Sequence, residues 1–160
     1  MCIRDRPDRD RVVSEPVERP SDSARVRLDQ HGGRGAVGLE AVSRGAASAV
    51  LVESDARGIR RTLDRLGDDA VAVRLIAGDA GDAVEQLAGS GELFDVVFAD
   101  PPYRLEPAAA GLARAARLLQ AEGVLVLQRD YDEDSGALPG LRTVGRRAYG
   151  RNVFVFYELL

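Results

Sequence analysis

The alternation of short apolar runs with segments of helical period constrains the fold of this chain more than any other feature of its sequence. Runs rich in Val and Leu, such as residues 94–99 and 123–128, recur along the chain. Between them the apolar residues follow a helical period, as in the series Ala109, Leu112 and Ala116. This alternation is typical of a parallel sheet covered by helices, and it predicts an α/β fold.

Each run and each periodic segment is assigned to a strand or a helix. The predicted strands comprise residues 25–29, 49–53, 71–77, 94–99, 123–128, 141–144 and 152–157. The predicted helices comprise residues 36–44, 55–66, 80–87 and 106–119. Because no helix fits between the last two strands, we expect them to form an antiparallel hairpin around Gly150.

Length and composition allow one folded domain. A chain of 160 residues with 45% hydrophobic content can bury about 70% of its unfolded surface, which is enough for a full core. Residues 1–23 differ from the rest, since they are charged, carry Pro7, Pro16 and Pro20, and contain few apolar residues. We therefore expect a poorly ordered arm over residues 1–23 and a single domain over residues 24–160.

The scarcity of Cys and His limits the chemistry available to the chain. One cysteine, Cys2, excludes a disulfide framework, and with one histidine, His31, we expect no metal site. No apolar stretch approaches the roughly 20 residues that span a membrane, and the charged first residues are unlike a secretory signal. These features predict a cytoplasmic protein with no membrane partner. Because the net charge is −4, any contact with nucleic acid must be local.

A glycine-rich segment follows the first predicted strand. Gly33, Gly35 and Gly38 match the pattern G-x-G-x-x-G, in which the backbone can approach a ligand and the next helix presents free N–H groups. Glu53 ends the following strand, where a carboxylate can accept hydrogen bonds from both hydroxyls of a ribose. These features predict a nucleoside-cofactor site, and by themselves they leave NAD and S-adenosylmethionine both open. Asp79, after the third strand, either accepts from an adenine amino group or caps the third helix.

A second motif, Asp100-Pro101-Pro102-Tyr103, directly follows the fourth predicted strand, and we call it the acceptor loop. Neither proline has an N–H to donate, so the loop offers mainly acceptors, the Asp100 carboxylate and backbone carbonyls. Two acceptors can hold both hydrogens of an exocyclic amine and leave its nitrogen facing a methyl donor. Tyr103 adds a flat face on which an unstacked base can lie. A turn that merely ends the strand is the structural alternative.

These motifs converge on one edge of the predicted sheet. The loops that carry them leave the carboxyl ends of neighbouring parallel strands, where open α/β sheets bind ligands. A cofactor and an amine would therefore share one crevice. The acceptor loop and Asp79 favour S-adenosylmethionine as the cofactor and an aromatic amine as the methyl acceptor.

At these residues the chain resembles a known family. The resemblance is carried by residues 38–46, by Val52-Glu53-Ser54-Asp55, by residues 98–103 and by the closing Tyr149-Gly150 with its apolar strand. Over roughly residues 24–160 these segments are similar to the RsmD-type 16S rRNA guanine-N(2) methyltransferases. The resemblance implies a class I methyltransferase fold, Rossmann-like, with a mostly parallel seven-stranded sheet, helices on both faces and a C-terminal antiparallel hairpin. The substrate it implies is one guanine of small-subunit ribosomal RNA, free or in an assembling 30S particle, and we expect a monomer.

The motifs and the resemblance together assign roles to individual residues. The expected catalytic residues are those of the acceptor loop, Asp100, Pro101, Pro102 and Tyr103. The expected residues around S-adenosylmethionine are Asp29, Gly33, Gly35, Glu53, Ser54, Asp79, Ala80 and Asp100. The expected RNA contacts are Tyr103 and Arg104, because the phosphate of an extruded nucleotide should pass beside the stacking tyrosine. Further arginines lie in the terminal hairpin (Arg142, Arg146, Arg147, Arg151) and on the second helix (Arg57, Arg60, Arg61, Arg65). We interpret the group on the second helix as a solvated face.

The chain departs from the family pattern in two places. Family members carry a short extension before the segment that matches Arg6-Pro7, and Pro16 interrupts the helix that should follow it, so we expect a truncated or divergent member. In the glycine segment Arg34 replaces a small residue, where it would either obstruct the methionine moiety or pair with a carboxylate. Three alternatives therefore remain open: an inactive module with the same fold, an NAD-dependent oxidoreductase, and an adenine-N(6) nucleic-acid methyltransferase.

Overall fold

A computed structural model gives the architecture of the protein. The structure describes residues 25–28, 35–101, 108–131 and 138–160. Several predictions of the sequence lie outside these residues: the arm over residues 1–23, the cofactor contacts Asp29 and Gly33, and the second half of the acceptor loop with its RNA contacts, Pro102, Tyr103 and Arg104.

Strands and helices alternate along the described chain. The strands are β1 (Arg25–Leu28), β2 (Ser48–Glu53), β3 (Val73–Ala77), β4 (Phe94–Ala99), β5 (Leu119–Asp130), β6 (Leu141–Tyr149) and β7 (Asn152–Leu159). The helices are α1 (Ala36–Ser43), α2 (Arg57–Leu66), α3 (Ala80–Gly89) and α4 (Ala108–Ala115). Each strand and helix expected from the sequence is present; the bounds of β4 are those predicted, and those of the other elements differ by a few residues. Among the described residues, no helix has the length and apolar character needed to cross a bilayer.

The strands form one mixed sheet in the order β3-β2-β1-β4-β5-β7-β6. The strands from β3 to β5 run parallel to their neighbours, whereas β7 lies antiparallel between β5 and β6. The predicted antiparallel hairpin is confirmed, since β6 and β7 pair from Leu141 with Leu159 to Tyr149 with Asn152. Gly150 opens the turn with a φ of 60°, a value that glycine adopts without steric cost.

Two apolar layers cover the two faces of the sheet. Successive strand residues point to opposite faces, so Val50 and Val52 face one layer while Leu51 faces the other. The larger layer packs α3 and α4 against the sheet, and the smaller layer packs α1 and α2. The helices therefore hold the sheet from both sides and leave the ends of its parallel strands as the place where loops can gather.

The boundary between α4 and β5 differs from the prediction. The sequence predicted a helix through Leu119, but α4 ends at Ala115 and a 3-10 turn follows over Ala116–Leu118. Leu119 instead begins β5 and pairs with Phe94 of β4. Both Leu118 and Leu119 are buried, so their apolar character fits a helix and a strand equally well. Pairing with β4 decides between them, because it also satisfies the backbone hydrogen-bonding groups of β5.

Candidate active site at the carboxyl edge of the sheet

Register places two predicted site carboxylates on either side of the end of β1. Leu28, the last residue of β1, pairs with Leu51 of β2 on one side and with Phe98 of β4 on the other. Glu53 and Asp100 each lie two residues beyond those partners. Two strand spacings separate their backbones, a distance of about 10 Å. Along the chain, β2 and β3 are added on one side of β1 and the next strand, β4, is added on the other side. Open α/β sheets bind ligands at such a reversal of strand order.

Glu53 presents a buried carboxylate at the end of β2, with 8% of its surface exposed. Its Oε1 accepts hydrogen bonds from Ser54 Oγ and from the backbone N–H of Asp55, both at 3.1 Å. Its backbone carbonyl accepts from Gly78 N at 3.1 Å, which ties the loop after β3 to the end of β2. These bonds fix the orientation of the carboxylate, and within the described residues its Oε2 makes no hydrogen bond. Glu53 can therefore accept hydrogen bonds from the hydroxyl groups of a ligand.

An ion pair shapes the loop that follows Glu53. Arg57 donates to Asp55 through both Nε and Nη2, at 2.8 and 2.7 Å. The side-chain hydrogen bond from Arg57 lowers the pKa of Asp55 to about 2. Because the folded-state pKa is depressed, any stability from this exposed pair is present above the ordinary pKa and is lost only as the pH falls towards 2. The loop beside Glu53 thus keeps its charges throughout the neutral range.

Asp79 caps α3, which is one of the two roles that the sequence left open for it. Its Oδ1 accepts from the backbone N–H groups of Gly81 at 2.7 Å and Asp82 at 3.3 Å. Ala80, the first residue of α3, is partly buried. The cap satisfies donors that a helix start would otherwise leave unpaired. It engages one oxygen of an exposed carboxylate, so the contact to an adenine amino group stays a prediction.

The glycines at the start of α1 accommodate one leucine of β2. A Cβ built on Gly35 would lie 2.7 Å from Leu51 Cδ1, and a Cβ on Gly38 would lie 2.5 Å from Leu51 Cδ2. Leu51 has 0% exposure, so neither methyl group can swing into solvent. Gly35 also has a φ of 69°, in the left-handed region that favours glycine. Two glycines of the G-x-G-x-x-G pattern therefore allow α1 to pack closely against the sheet.

The first half of the acceptor loop follows β4. Asp100 is partly buried and Pro101 is buried, so this backbone is held against the protein. Ala99, the residue before it, pairs with Leu127 of β5. The described part of the loop thus lies at the end of the parallel sheet, between the end of β1 and the end of β5.

Sequence reasoning missed two features at this edge. One is the role of Leu51, which the spacing of Gly35 and Gly38 could have indicated, because residues three apart share a helix face. The other is a pair of exposed tyrosines, Tyr131 and Tyr149, at the ends of β5 and β6. Each stands close in the sequence to arginines, a pattern visible without the structure.

The sequence matches a described family along nearly its whole length. A family model described as Conserved hypothetical protein 95 matches residues 6–158. Among curated proteins, the chain is 40% identical over 81 residues to Ribosomal RNA small subunit methyltransferase D of Escherichia coli K12. That alignment covers 48% of this chain and spans only 38% of the Escherichia coli protein.

Solved structures share the fold. A conserved hypothetical protein of Streptococcus pyogenes superposes with a TM-score of 0.72 at 27% identity, covering 84% of this chain and 85% of the other. A TehB-like SAM-dependent methyltransferase of Corynebacterium glutamicum superposes with a TM-score of 0.64 at 18% identity, covering 86% and 81%. The fold is that of the Rossmann-like class I methyltransferases. The chain belongs to the Conserved hypothetical protein 95 family, which is the RsmD family that its motifs resemble.

Proposed function

We propose that this protein methylates ribosomal RNA, transferring a methyl group from S-adenosylmethionine to the exocyclic amine of a guanine in the small-subunit RNA. The observation that carries the proposal is the placement of Glu53 and Asp100 on either side of the end of β1. Glu53 binds the cofactor and Asp100 binds the amine. The name of the Escherichia coli relative supports the choice of small-subunit ribosomal RNA.

The residues of the β2 end fit a nucleoside cofactor. Glu53 is buried, held through Oε1, and acceptor-only when ionised, so it can receive the two hydroxyl hydrogens of a ribose. Asp79 lies in the loop tied to the same strand end, and we assign it to the adenine amino group. We also assign to the site Asp29, which follows β1 in the sequence, and the backbone of Gly33 and Gly35, which precede α1 in the sequence, with Ser54 and Ala80 at its margin. When bound, S-adenosylmethionine supplies an electrophilic methyl group on a sulfonium.

The acceptor loop positions the guanine amine for methyl transfer. Asp100 and the Pro101 carbonyl accept the two hydrogens of the guanine amine, so the nitrogen lone pair points into the crevice. Tyr103 stacks on the extruded base, and Arg104 holds a neighbouring phosphate. As the nitrogen bonds to the methyl carbon, the bond from that carbon to sulfur would break and leave a neutral thioether. Asp100 would accept the proton that the positively charged nitrogen then sheds. Alignment supplies most of the rate gain, because a guanine amine is a poor and otherwise misoriented nucleophile.

Two measurements test the proposal. Calorimetry should detect binding of S-adenosylhomocysteine and none of NAD, and labelled methyl groups should pass from S-adenosylmethionine to small-subunit particles that lack the modification. Mapping the modified base should then locate the label on a guanine N2. Binding of NAD alone would favour an oxidoreductase, label on an adenine N6 would change the substrate, and failure to bind either ligand would favour an inactive module.

Removing the Glu53 carboxylate should weaken cofactor binding. Because hydrogen bonds to charged groups contribute roughly 1.5–3 kcal/mol each, we expect E53A to raise the Kd for S-adenosylhomocysteine by at least about tenfold. The matched control is E40Q, which neutralises an exposed glutamate on α1 that pairs only with Arg44 among the described residues. Calorimetry of both variants would contradict the assignment if E53A bound the ligand as tightly as E40Q.

A further inference from the structure

The carboxyl edge of the sheet divides into an acidic half and a basic, aromatic half. The strand ends beside the proposed cofactor site carry Glu53, Asp55 and Asp79. At the other end of the same edge, two tyrosines and three arginines lie in the residue after β5, in the last part of β6 and in the turn between β6 and β7. We call this group the hairpin-end surface, and its members are Tyr131, Arg146, Arg147, Tyr149 and Arg151.

The two tyrosines of the hairpin-end surface are exposed. Tyr131 is 58% exposed and Tyr149 is 65% exposed, so each presents a ring to solvent at the edge where a substrate would arrive. Tyr149 packs edge-on against Phe154 at 5.9 Å, and Phe154 lies 6.3 Å from Phe98 of β4. This row of rings joins the surface to the strand that leads into the acceptor loop. Arg147 pairs with Phe154 and so shares the face of this row, whereas Arg146, which contacts Tyr131, lies on the other face at the same end of the hairpin. The hairpin-end surface therefore wraps around the end of the hairpin.

Two of the arginines are available for an anion. The Cζ atom of Arg146 lies over the Tyr131 ring, 5.8 Å from its centroid, and a cation–π contact of this kind does not use the N–H donors of the guanidinium. Arg147 donates only to the backbone carbonyl of Arg146, at 3.3 Å. In the part of the chain that the structure describes, neither has a carboxylate partner. Arg142 and Arg151, by contrast, pair with Glu158 and Asp130.

We propose that the hairpin-end surface binds the single-stranded or loop RNA that flanks the methylated base, an inference that rests on the proposed function. Exposed aromatic rings stack on unpaired bases, and unpaired arginines contact phosphates, a combination that suits single-stranded RNA. Three strand spacings separate β4 from β6, about 14 Å, which is the rise of roughly four stacked nucleotides. The acidic half of the edge repels phosphate, so the RNA approaches from the hairpin side.

The test compares R146A/R147A with the wild type and with R60A/R65A. The control removes two exposed arginines from α2, so the change in net charge is the same. Anisotropy with an unmethylated fragment of small-subunit ribosomal RNA should show a Kd raised about tenfold in R146A/R147A. A plot of the logarithm of the observed binding constant against the logarithm of the salt concentration should have a slope that is shallower by about 1.4. This is the change expected when two phosphate contacts to single-stranded RNA are lost. The control should stay within about twofold of the wild type, since it removes no phosphate contact.

A second pair of variants tests stacking. Y149A should raise the RNA Kd by about tenfold, whereas Y149F, which keeps the ring, should bind within about twofold of the wild type. If these residues had only a structural role, their substitution would also change the Tm and the affinity for S-adenosylhomocysteine, so both are measured, the affinity by calorimetry. Equal losses of cofactor and RNA affinity, or equal affinities of R146A/R147A and its control, would overturn the proposal. If R146A/R147A fails to fold, R146Q/R147Q carries the same comparison.

Charge on the neighbouring segment gives an independent check. Asp132, Glu133 and Asp134 follow Tyr131 in the sequence and lie outside the described residues. Neutralising them in D132N/E133Q/D134N makes this end of the molecule more positive, so RNA affinity should rise or stay unchanged. A loss of affinity would show that positive charge at this end of the molecule does not attract the RNA, and would contradict the proposal that the hairpin-end surface binds it.

The outcomes separate this surface from the proposed function. If the wild type binds RNA through these residues but transfers no methyl group, the surface stands and the proposed function fails. If the wild type methylates particles and R146A/R147A keeps the same KM and kcat, the function stands and the surface fails. If R146A/R147A binds free RNA normally but has a raised KM only on protein-containing particles, the partner is protein, and the RNA assignment is wrong.

Discussion

Replacing Asp100 by alanine is expected to lower the rate of methyl transfer by at least about a hundredfold while leaving cofactor affinity within about threefold of the wild type. The amine would lose one of its two acceptors, and its nitrogen would no longer be held in line with the methyl donor. The proton released on transfer would also lose its acceptor. Single-turnover transfer of labelled methyl to unmodified small-subunit particles measures the rate, and calorimetry measures the affinity.

A second substitution separates the two roles of Asp100. D100N keeps one carbonyl acceptor but cannot take up the proton at neutral pH, so an activity between D100A and the wild type would show that alignment contributes on its own. The control is D69A, which removes an exposed carboxylate from the short 3-10 turn before β3, at the opposite edge of the sheet. Normal turnover in D100A would remove the basis for the proposed reaction.

The second large effect is expected in stability, at the contact between α1 and β2. G38A adds a Cβ that would lie 2.5 Å from Leu51 Cδ2 and 3.4 Å from Ala49 Cβ. Because Leu51 is fully buried and its other methyl group fills the space beside Gly35, it has no room to move away. Overpacking of this kind costs about 1–3 kcal/mol, and denaturant unfolding of the variant should show a loss in that range.

The control for G38A is G58A, and a double-mutant cycle identifies the cause. Gly58 is also helical, in α2, but among the described residues nothing beyond its chain neighbours and its own helix backbone lies within 4 Å of its added Cβ. G58A should therefore leave stability unchanged or raise it by up to about 1 kcal/mol. L51A alone should cost about 2–5 kcal/mol. The double variant G38A/L51A should cost less than the sum, by about 0.5–3 kcal/mol, since alanine at position 51 removes the methyl group that clashes. Additive costs would mean that Leu51 is not the obstacle.

Local pattern was sufficient to predict the elements and the edge at which the motifs meet. The period of apolar residues distinguishes strands from helices without knowledge of the partners, because it depends only on the geometry of each element. The position of Glu53 and Asp100 directly after apolar runs also followed from sequence, since carboxyl ends of parallel strands meet at one edge. The resemblance to the RsmD family was confirmed by the family match over residues 6–158.

Tertiary contacts decided the features that depend on residues far apart in sequence. Leu119 joins β5 because it pairs with Phe94, although its apolar character fits a helix equally well. The glycines at the start of α1 have a packing role that is visible only when Leu51 is placed against them. Close packing of this kind depends on the partner atom, which local sequence does not specify.

The hairpin shows most directly what the sequence determined and what it left to the fold. The lack of room for a helix between the last two predicted strands was enough to predict an antiparallel hairpin around Gly150. The sequence did not predict the irregularity between Thr143 and Gly145, where β6 carries one more residue than β7. Such a bulge exchanges the faces of the residues that follow, and here it sets Arg146 opposite Val155 and Arg147 opposite Phe154. The faces of these arginines were therefore decided by strand pairing, because register depends on both strands, whereas the choice of strand over helix depends on one.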